Sequence, residues 1–226
     1  MTRGLFITGT DTGVGKTLVA VAILRALVRE GVRAVGMKPV AAGVIHGATC
    51  NADVEALVAA GNVDAPRSDV NPYSLPAAIA PHLAAARAGV TVDLERIASA
   101  HRRLAMLADV IVVEGAGGVL VPLGERTDML DIARRLDLPV LLVVGMRLGC
   151  LNHALLSAQA IAARGLVLAG WIANRIDPSM EAADANVAAL ADRLAAPPAA
   201  DIAWRSSEGL GARVSPGLLR TLGLRG

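Results

Sequence analysis

Aromatic side chains are nearly missing from this chain of 226 residues: two tryptophans, one tyrosine and one phenylalanine, 2% in all. A core without rings must be built from Ala, Leu, Val and Ile, which favours close packing of helices on a sheet over a β-sandwich. Cysteine is as scarce. Cys50 and Cys150 lack metal-ligand spacing and make no disulfide framework, so each reads as a small structural residue in a reducing cytosol. Long hydrophobic runs are missing too, since the apolar stretches near 109 to 113 and 138 to 145 have strand length rather than membrane length. No charged segment followed by an apolar one opens the chain, so a cytoplasmic protein without a membrane partner is expected. Neither charge sign dominates. The net charge is +2, and no basic run exceeds Arg102-Arg103 or Arg134-Arg135, which argues against nucleic acid as a partner.

Lysine is the most informative scarcity. Of 22 basic residues only Lys16 and Lys38 are lysine, and arginine serves everywhere else. An arginine-rich composition can reflect drift of the whole sequence. A site that needs a compact ammonium between phosphate oxygens, rather than a planar fork, would resist that drift.

With 54% hydrophobic residues the chain can bury a substantial core, and its length suits a single domain, residues 1–226. Apolar runs at 3 to 8, 33 to 38, 109 to 114, 139 to 145 and 167 to 173 predict strands covered on both faces. Helical patterns at about 16 to 30, 51 to 60, 92 to 107, 128 to 136, 150 to 164 and 180 to 195 lie between them. This alternation predicts an α/β fold, a mostly parallel central sheet between two helical layers. Right-handed crossovers then bring the C-terminal ends of the strands to one edge, where ligands bind. Gly61 to Pro81 reads as an excursion with little regular structure, and Pro197-Pro198 opens a weakly patterned tail.

The sequence places its chemistry at that edge. Thr8-Gly9-Thr10-Asp11-Thr12-Gly13-Val14-Gly15-Lys16-Thr17 follows the first strand and opens the first helix. In such a loop backbone N–H groups converge on a phosphate, the lysine reaches the outer phosphates and the threonine hydroxyl ligates Mg2+. The usual spacing would need glycine where Thr10 stands, so this is a variant P-loop. Glu114 ends a buried strand, where a carboxylate is costly unless paired, and a strand-terminal acid beside a P-loop is the usual place for a Mg2+ contact. Asp53 heads a helical pattern, either as a second metal residue or as an acid favoured by the helix dipole. Gly115-Ala116-Gly117-Gly118 is nearly free of side chains, for a tight turn or for close approach of a ligand. Asn174 follows the last predicted strand, as a turn residue or as an amide on an adenine edge. His46, His82, His101 and His153 show no catalytic or metal spacing, and none is assigned.

Together these residues closely resemble the dethiobiotin synthetases, ATP-dependent cyclo-ligases of the P-loop NTPase type. The matching segments are Thr8 to Thr17, Lys38-Pro39-Val40, Asn71-Pro72-Tyr73 with Pro81-His82, Val113 to Gly118, Leu148 to His153, and Ala169 to Asn174. The resemblance implies that 7,8-diaminononanoate, CO2 and ATP give dethiobiotin, ADP and phosphate in biotin biosynthesis. It implies Lys16 on the β- and γ-phosphates, Lys38 on a carbamate and the transferring phosphoryl group, and Thr12 beside the reacting amines. Thr17, Asp53 and Glu114 would surround Mg2+, and Gly13, Val14, Gly15, Lys16, Thr17 and Leu18 would wrap the nucleotide. Gly115, Ala116 and Gly117 would lie against it, with Asn174, Ala203 and Trp204 at the base. The substrate carboxylate would rest at a helix start, Gly149, Cys150, Leu151 and Asn152, given by the partner subunit of a homodimer. The chain departs from the family pattern at Gly13, where many members carry an acid, at Ala42, where Ser or Thr commonly contacts substrate, and at Ala203, where proline often precedes the tryptophan.

The nearest rival is an ATP-driven switch or partition protein of related fold. Such proteins commonly carry a further lysine early in the loop, where this chain has Thr10, Asp11 and Thr12. An amidating ligase of the same fold would need a glutaminase domain, for which 226 residues leave no room.

Overall fold

Each long apolar run forms a strand because both of its faces are buried. In the computed structural model, which describes residues 3–43, 51–204 and 216–224, Leu5 and Ile7 of β1 (Arg3–Gly9) face one helical layer while Phe6 faces the other. The same alternation separates Val110 and Val112 from Ile111 and Val113 on β5 (Val110–Gly118). It also separates Leu141 and Val143 from Leu142 and Val144 on β6 (Val140–Met146). Period-two side chains thus feed two cores from one sheet. His46 and Cys50 lie outside the described residues.

The central sheet has the order β2-β5-β1-β6-β7-β8, every pairing parallel, with β2 at Ala34–Met37, β7 at Leu168–Arg175 and β8 at Ala200–Ile202. One face carries α1 (Lys16–Arg29), α2 (Ala52–Ala60) and α9 (Pro216–Thr221). Against the other face pack α5 (Leu94–Leu107), α6 (Met129–Arg135), α7 (Cys150–Ala163) and α8 (Ala183–Arg193). This is the expected three-layer α/β/α architecture. Apart from the C-terminal end of β5, the expected strands and helices fall within about three residues of the observed ones at each end.

Three regions carry more structure than their sequence pattern discloses. The 61 to 81 excursion is ordered: it contains α3 (Arg67–Val70) and β4 (Tyr73–Leu75), and leads into α4 (Pro81–Arg87). There β4 pairs in parallel with β3 (Val40–Ala42), making a second sheet of two strands beside the site. The tail supplies β8, paired to β7 through Asn174 opposite Ile202. Finally, the glycines after Glu114 continue β5 rather than turn away, with Gly118 opposite Gly9. Without side chains they let the strand run on alongside the emerging P-loop.

Two kinds of helix start stand near the strand ends or support the helical layers. Asn51, Asp93 and Asp128 cap α2, α5 and α6 with side-chain oxygens. By contrast α1 and α7 each begin after a left-handed glycine, Gly15 at φ 92° and Gly149 at φ 93°, with no side-chain cap and no acid in the first turn. The Cys150 N–H at the start of α7 donates to the Arg147 carbonyl at 3.0 Å, and the N–H groups that follow it, like those that open α1, face outward for another acceptor.

Candidate functional site

The P-loop is pressed against the ends of the strands around β1. A Cβ at Gly145 of β6 would lie 2.7 Å from the Val14 side chain, and one at Gly9 would lie 2.6 Å from it. Val14 is therefore an anchor buried under the loop, and its carbonyl accepts a hydrogen bond of 2.7 Å from Asn174 Nδ2 on β7. The side chain of Lys16 curls back so that its ammonium donates to the Asp11 carbonyl at 2.9 Å. Burial, then the neighbouring charge of Lys38, lowers the Lys16 pKa to about 8.

Lys38 stands just past β2, and β2 is paired to β5 so that Met37 faces Val113. Glu114 is the next residue along β5, and both side chains end in the same place. Lys38 Nζ lies 2.5 Å from Glu114 Oε1 and 3.0 Å from Asp53 Oδ2, while the Thr17 hydroxyl donates to Glu114 Oε1 at 2.8 Å. Lys38 is 4% exposed and Glu114 1%. Burial alone would raise the Asp53 pKa, but the charge and hydrogen bond of Lys38 outweigh it and hold the carboxyl below its usual range. Removing Lys38 would strand the buried Glu114 carboxylate, at a cost of about 3–5 kcal/mol, whereas Lys38 without Glu114 would keep Asp53 as its partner.

Lys16, Lys38, Thr17, Asp53 and Glu114, with Thr12, Gly13, Gly15, Ala42, Ala116 and Gly117, line one cavity of about 820 Å³. The residues present fit a small divalent cation. Glu114 Oε2 is buried with no hydrogen-bond partner among the described residues, an unmet acceptor that a metal would satisfy. Thr17 and Asp53 add only oxygen donors, the preference of Mg2+. Among the described residues no group of three or more His, Cys, Asp or Glu gathers.

The other expected residues lie around this cavity rather than in it. Leu18 packs toward the α1 core, and Gly115 is buried against Phe6 and Met129. Asn174 is buried at the C-terminal end of β7, and Ala203 and Trp204 follow the neighbouring β8 at the same edge. Gly149 to Asn152 form the start of α7, with Cys150 buried. The next residue, His153, borders a separate shallow groove of about 390 Å³ shared with Thr10, Asp11, Leu120 and Leu156.

Two contacts escaped the sequence reading. Arg147, just before the α7 start, reaches Asp11 Oδ2 at 2.5 Å and so ties the P-loop to the end of β6. The Thr12 backbone N–H, and after it this guanidinium, lower the Asp11 pKa. Asn51 donates to the Ala42 and Gly43 carbonyls at 3.3 and 2.9 Å and accepts from the Asp53 N–H at 3.0 Å, which aims the α2 start at the cavity. Both are side-chain contacts to distant backbone or loop, and neither leaves a periodic trace in the sequence.

A family model described as an AAA domain matches residues 3–207. The protein of Aromatoleum aromaticum named ATP-dependent dethiobiotin synthetase BioD is 56% identical over 197 residues, 86% of this chain and 88% of that protein. A protein of the same name from Nitrosospira multiformis is 55% identical over 197 residues, 87% of this chain and 86% of its own. Among solved structures, a ParA family ATPase from Chlorobium tepidum gives a TM-score of 0.58 at 16% identity, covering 98% of this chain and 97% of the other. The septum site-determining protein MinD from Pyrococcus horikoshii, complexed with Mg-ADP, also gives 0.58, at 18% identity, covering 99% and 94%. At such identities the last two share the fold alone.

Proposed function

Since this chain belongs to the ATP-dependent dethiobiotin synthetases, we propose a division of labour among the residues of its cavity. The reaction converts 7,8-diaminononanoate, CO2 and ATP into dethiobiotin, ADP and phosphate. One amine attacks CO2 and loses a proton, giving a carbamate. A carbamate oxygen then attacks the γ-phosphorus as ADP leaves, and the second amine displaces phosphate from the mixed anhydride to close the ring.

Every species before closure carries more negative charge than the diamine, so the work of the protein is neutralisation and alignment. The observation that carries this reading is the convergence of both lysines on one cavity with Thr17, Asp53 and Glu114. Lys16 holds the β- and γ-phosphates, with the uncapped start of α1 and the loop from Gly13 to Leu18 around them. Lys38 holds the carbamate and the phosphoryl group in transfer, and Thr12 sits beside the amines. Gly115, Ala116 and Gly117 lie against the nucleotide, and Asn174 with Ala203 and Trp204 surrounds its base. Thr17, Asp53 and Glu114 hold Mg2+, which when bound neutralises charge on the outer phosphates.

We further place the substrate between two copies of the chain, its carboxylate at the partner's α7 start around Gly149 to Asn152, with Ala42 on the cavity side. Exposed Leu120, Leu148 and Leu156 near that helix start support a second copy. The cytoplasm is the compartment we assign. No helix among the described residues is long and apolar enough to cross a membrane, and Cys150 is a free thiol.

ATP turnover should require both the diamine and bicarbonate, and Lys38→Arg should lose most of it while keeping the charge, because the guanidinium fork cannot occupy the place of an ammonium between Glu114 and Asp53. Release of phosphate and formation of dethiobiotin are the measurements. Equal ATP hydrolysis with and without the diamine would sink this reading and favour a switch ATPase.

A further inference from the structure

Lys38 stands where the chain leaves the main sheet. β2 ends at Met37, Pro39 follows, and β3 begins at Val40 in the second sheet. A residue before proline is confined to extended conformations, and proline has no N–H, so no regular ladder can carry the backbone through this junction. Segment 70 to 73 takes its place. The Lys38 N–H donates to the Val70 carbonyl at 2.8 Å, and Asn71 Nδ2 donates to the Lys38 carbonyl at 2.6 Å and to the Tyr73 carbonyl at 3.1 Å. The Tyr73 N–H then donates to the Pro39 carbonyl at 3.1 Å, and the β3–β4 register begins with Val40 opposite Tyr73.

Asn71 therefore supplies a rung that the main chain cannot make. A primary amide has two N–H groups, and Asn71 directs both to carbonyls. It is also not among the residues that line the cavity. A lysine on a four-carbon stem can be no better placed than the backbone it hangs from, and Lys38 must meet Glu114 and Asp53 at 2.5 and 3.0 Å.

We propose that Asn71 is a positioning residue for Lys38, fixing the 38–39 peptide from which the ammonium reaches its acids and the reacting group. The inference rests on the reading that Lys38 acts in the reaction. Asn71→Asp keeps the shape of the side chain but turns acceptor oxygens toward two carbonyls. Asn71→Ser, smaller and uncharged, serves if that variant does not fold.

Because the chain has two lysines, protein labelled at lysine Nζ and Cε gives two side-chain NMR signals, assigned with Lys16→Arg. In the Asn71 variants the Lys38 signal should move while that of Lys16 stays. The kcat for dethiobiotin formation should fall by about tenfold to a hundredfold with KM for ATP unchanged, as for a misplaced catalytic group. A Lys38 signal that stays put, or a loss of kcat that only follows a lower Tm, would overturn the inference. Lys38→Met separates the two claims: full turnover by that variant overturns the role of Lys38 and the inference with it. Turnover lost in Lys38→Met, with the Lys38 signal undisturbed in Asn71→Asp, overturns the inference alone.

Discussion

Gly13 and Gly15 lie two residues apart in one loop with similar backbone handedness, φ 75° and 92°, yet they should not tolerate the same change. A Cβ at Gly13 would meet nothing within 4 Å, whereas one at Gly15 would lie 2.3 Å from Asn174 Nδ2. That amide cannot step aside, since it is buried and already holds the Val14 carbonyl. Gly13→Ala should therefore cost only the strain of a left-handed alanine, about 1–2 kcal/mol, and keep ATP binding. Gly15→Ala must expel the Asn174 amide or distort the loop, and ATP affinity should drop by tenfold or more, about 1.4 kcal/mol or above. Calorimetric titration with a non-hydrolysable ATP analogue, beside thermal melts, measures both. Equal losses in the two variants would remove Asn174 from its place as the fastener of the loop. This contact also shows where sequence reasoning stops. The residue was visible as a polar group at a strand end, but its partner 160 residues away was not.

At the scale of elements, what the sequence disclosed depended on length. β1, β5, β6 and α1 each carry enough apolar positions for a period to appear, and their order alone brings the P-loop, Lys38 and Glu114 to one edge. β3, β4 and β8 have three residues each, too few for any alternation, and form because distant segments pair with them. Helix α5 offers a test of its own. Its buried face is Ile97, Ala98, Ala100 and Leu104, and His101 beside them has Nε2 buried with no hydrogen-bond partner among the described residues. Burial, and secondarily Arg102, lowers its pKa to about 4 from an ordinary 6.5. The unfolded chain then takes up this proton first as pH falls. The resulting stability is whole above about pH 6.5 and is lost between there and pH 4, amounting to about 3 kcal/mol. His101→Leu should flatten that part of the Tm profile relative to the parent. Parallel profiles from pH 7 to 4 would show that the imidazole is solvated after all.

For the whole molecule, the parallel sheet sets the starts of α1 and α7 on the same edge but does not bring them to the same hollow. The α1 start opens on the large cavity, while α7 borders the shallow groove beyond Asp11 and Arg147. A second copy covering the apolar rim of that groove would let one protomer's α7 serve the other's cavity. Leu148 is 93% exposed and Leu156 57%, apolar surface that a second copy would cover. Burying one leucine contributes about 2 kcal/mol, and a carboxylate in its place adds a desolvation cost. Leu156→Glu should then weaken self-association by two orders of magnitude or more, since each 1.4 kcal/mol is about tenfold. Sedimentation velocity across a concentration series should find the parent as a dimer and the variant as a folded monomer, its ATP turnover with diamine and bicarbonate reduced in step. A parent chain that is monomeric and fully active at assay concentration would confine the whole reaction to one copy, and the substrate carboxylate would need a site within the cavity itself.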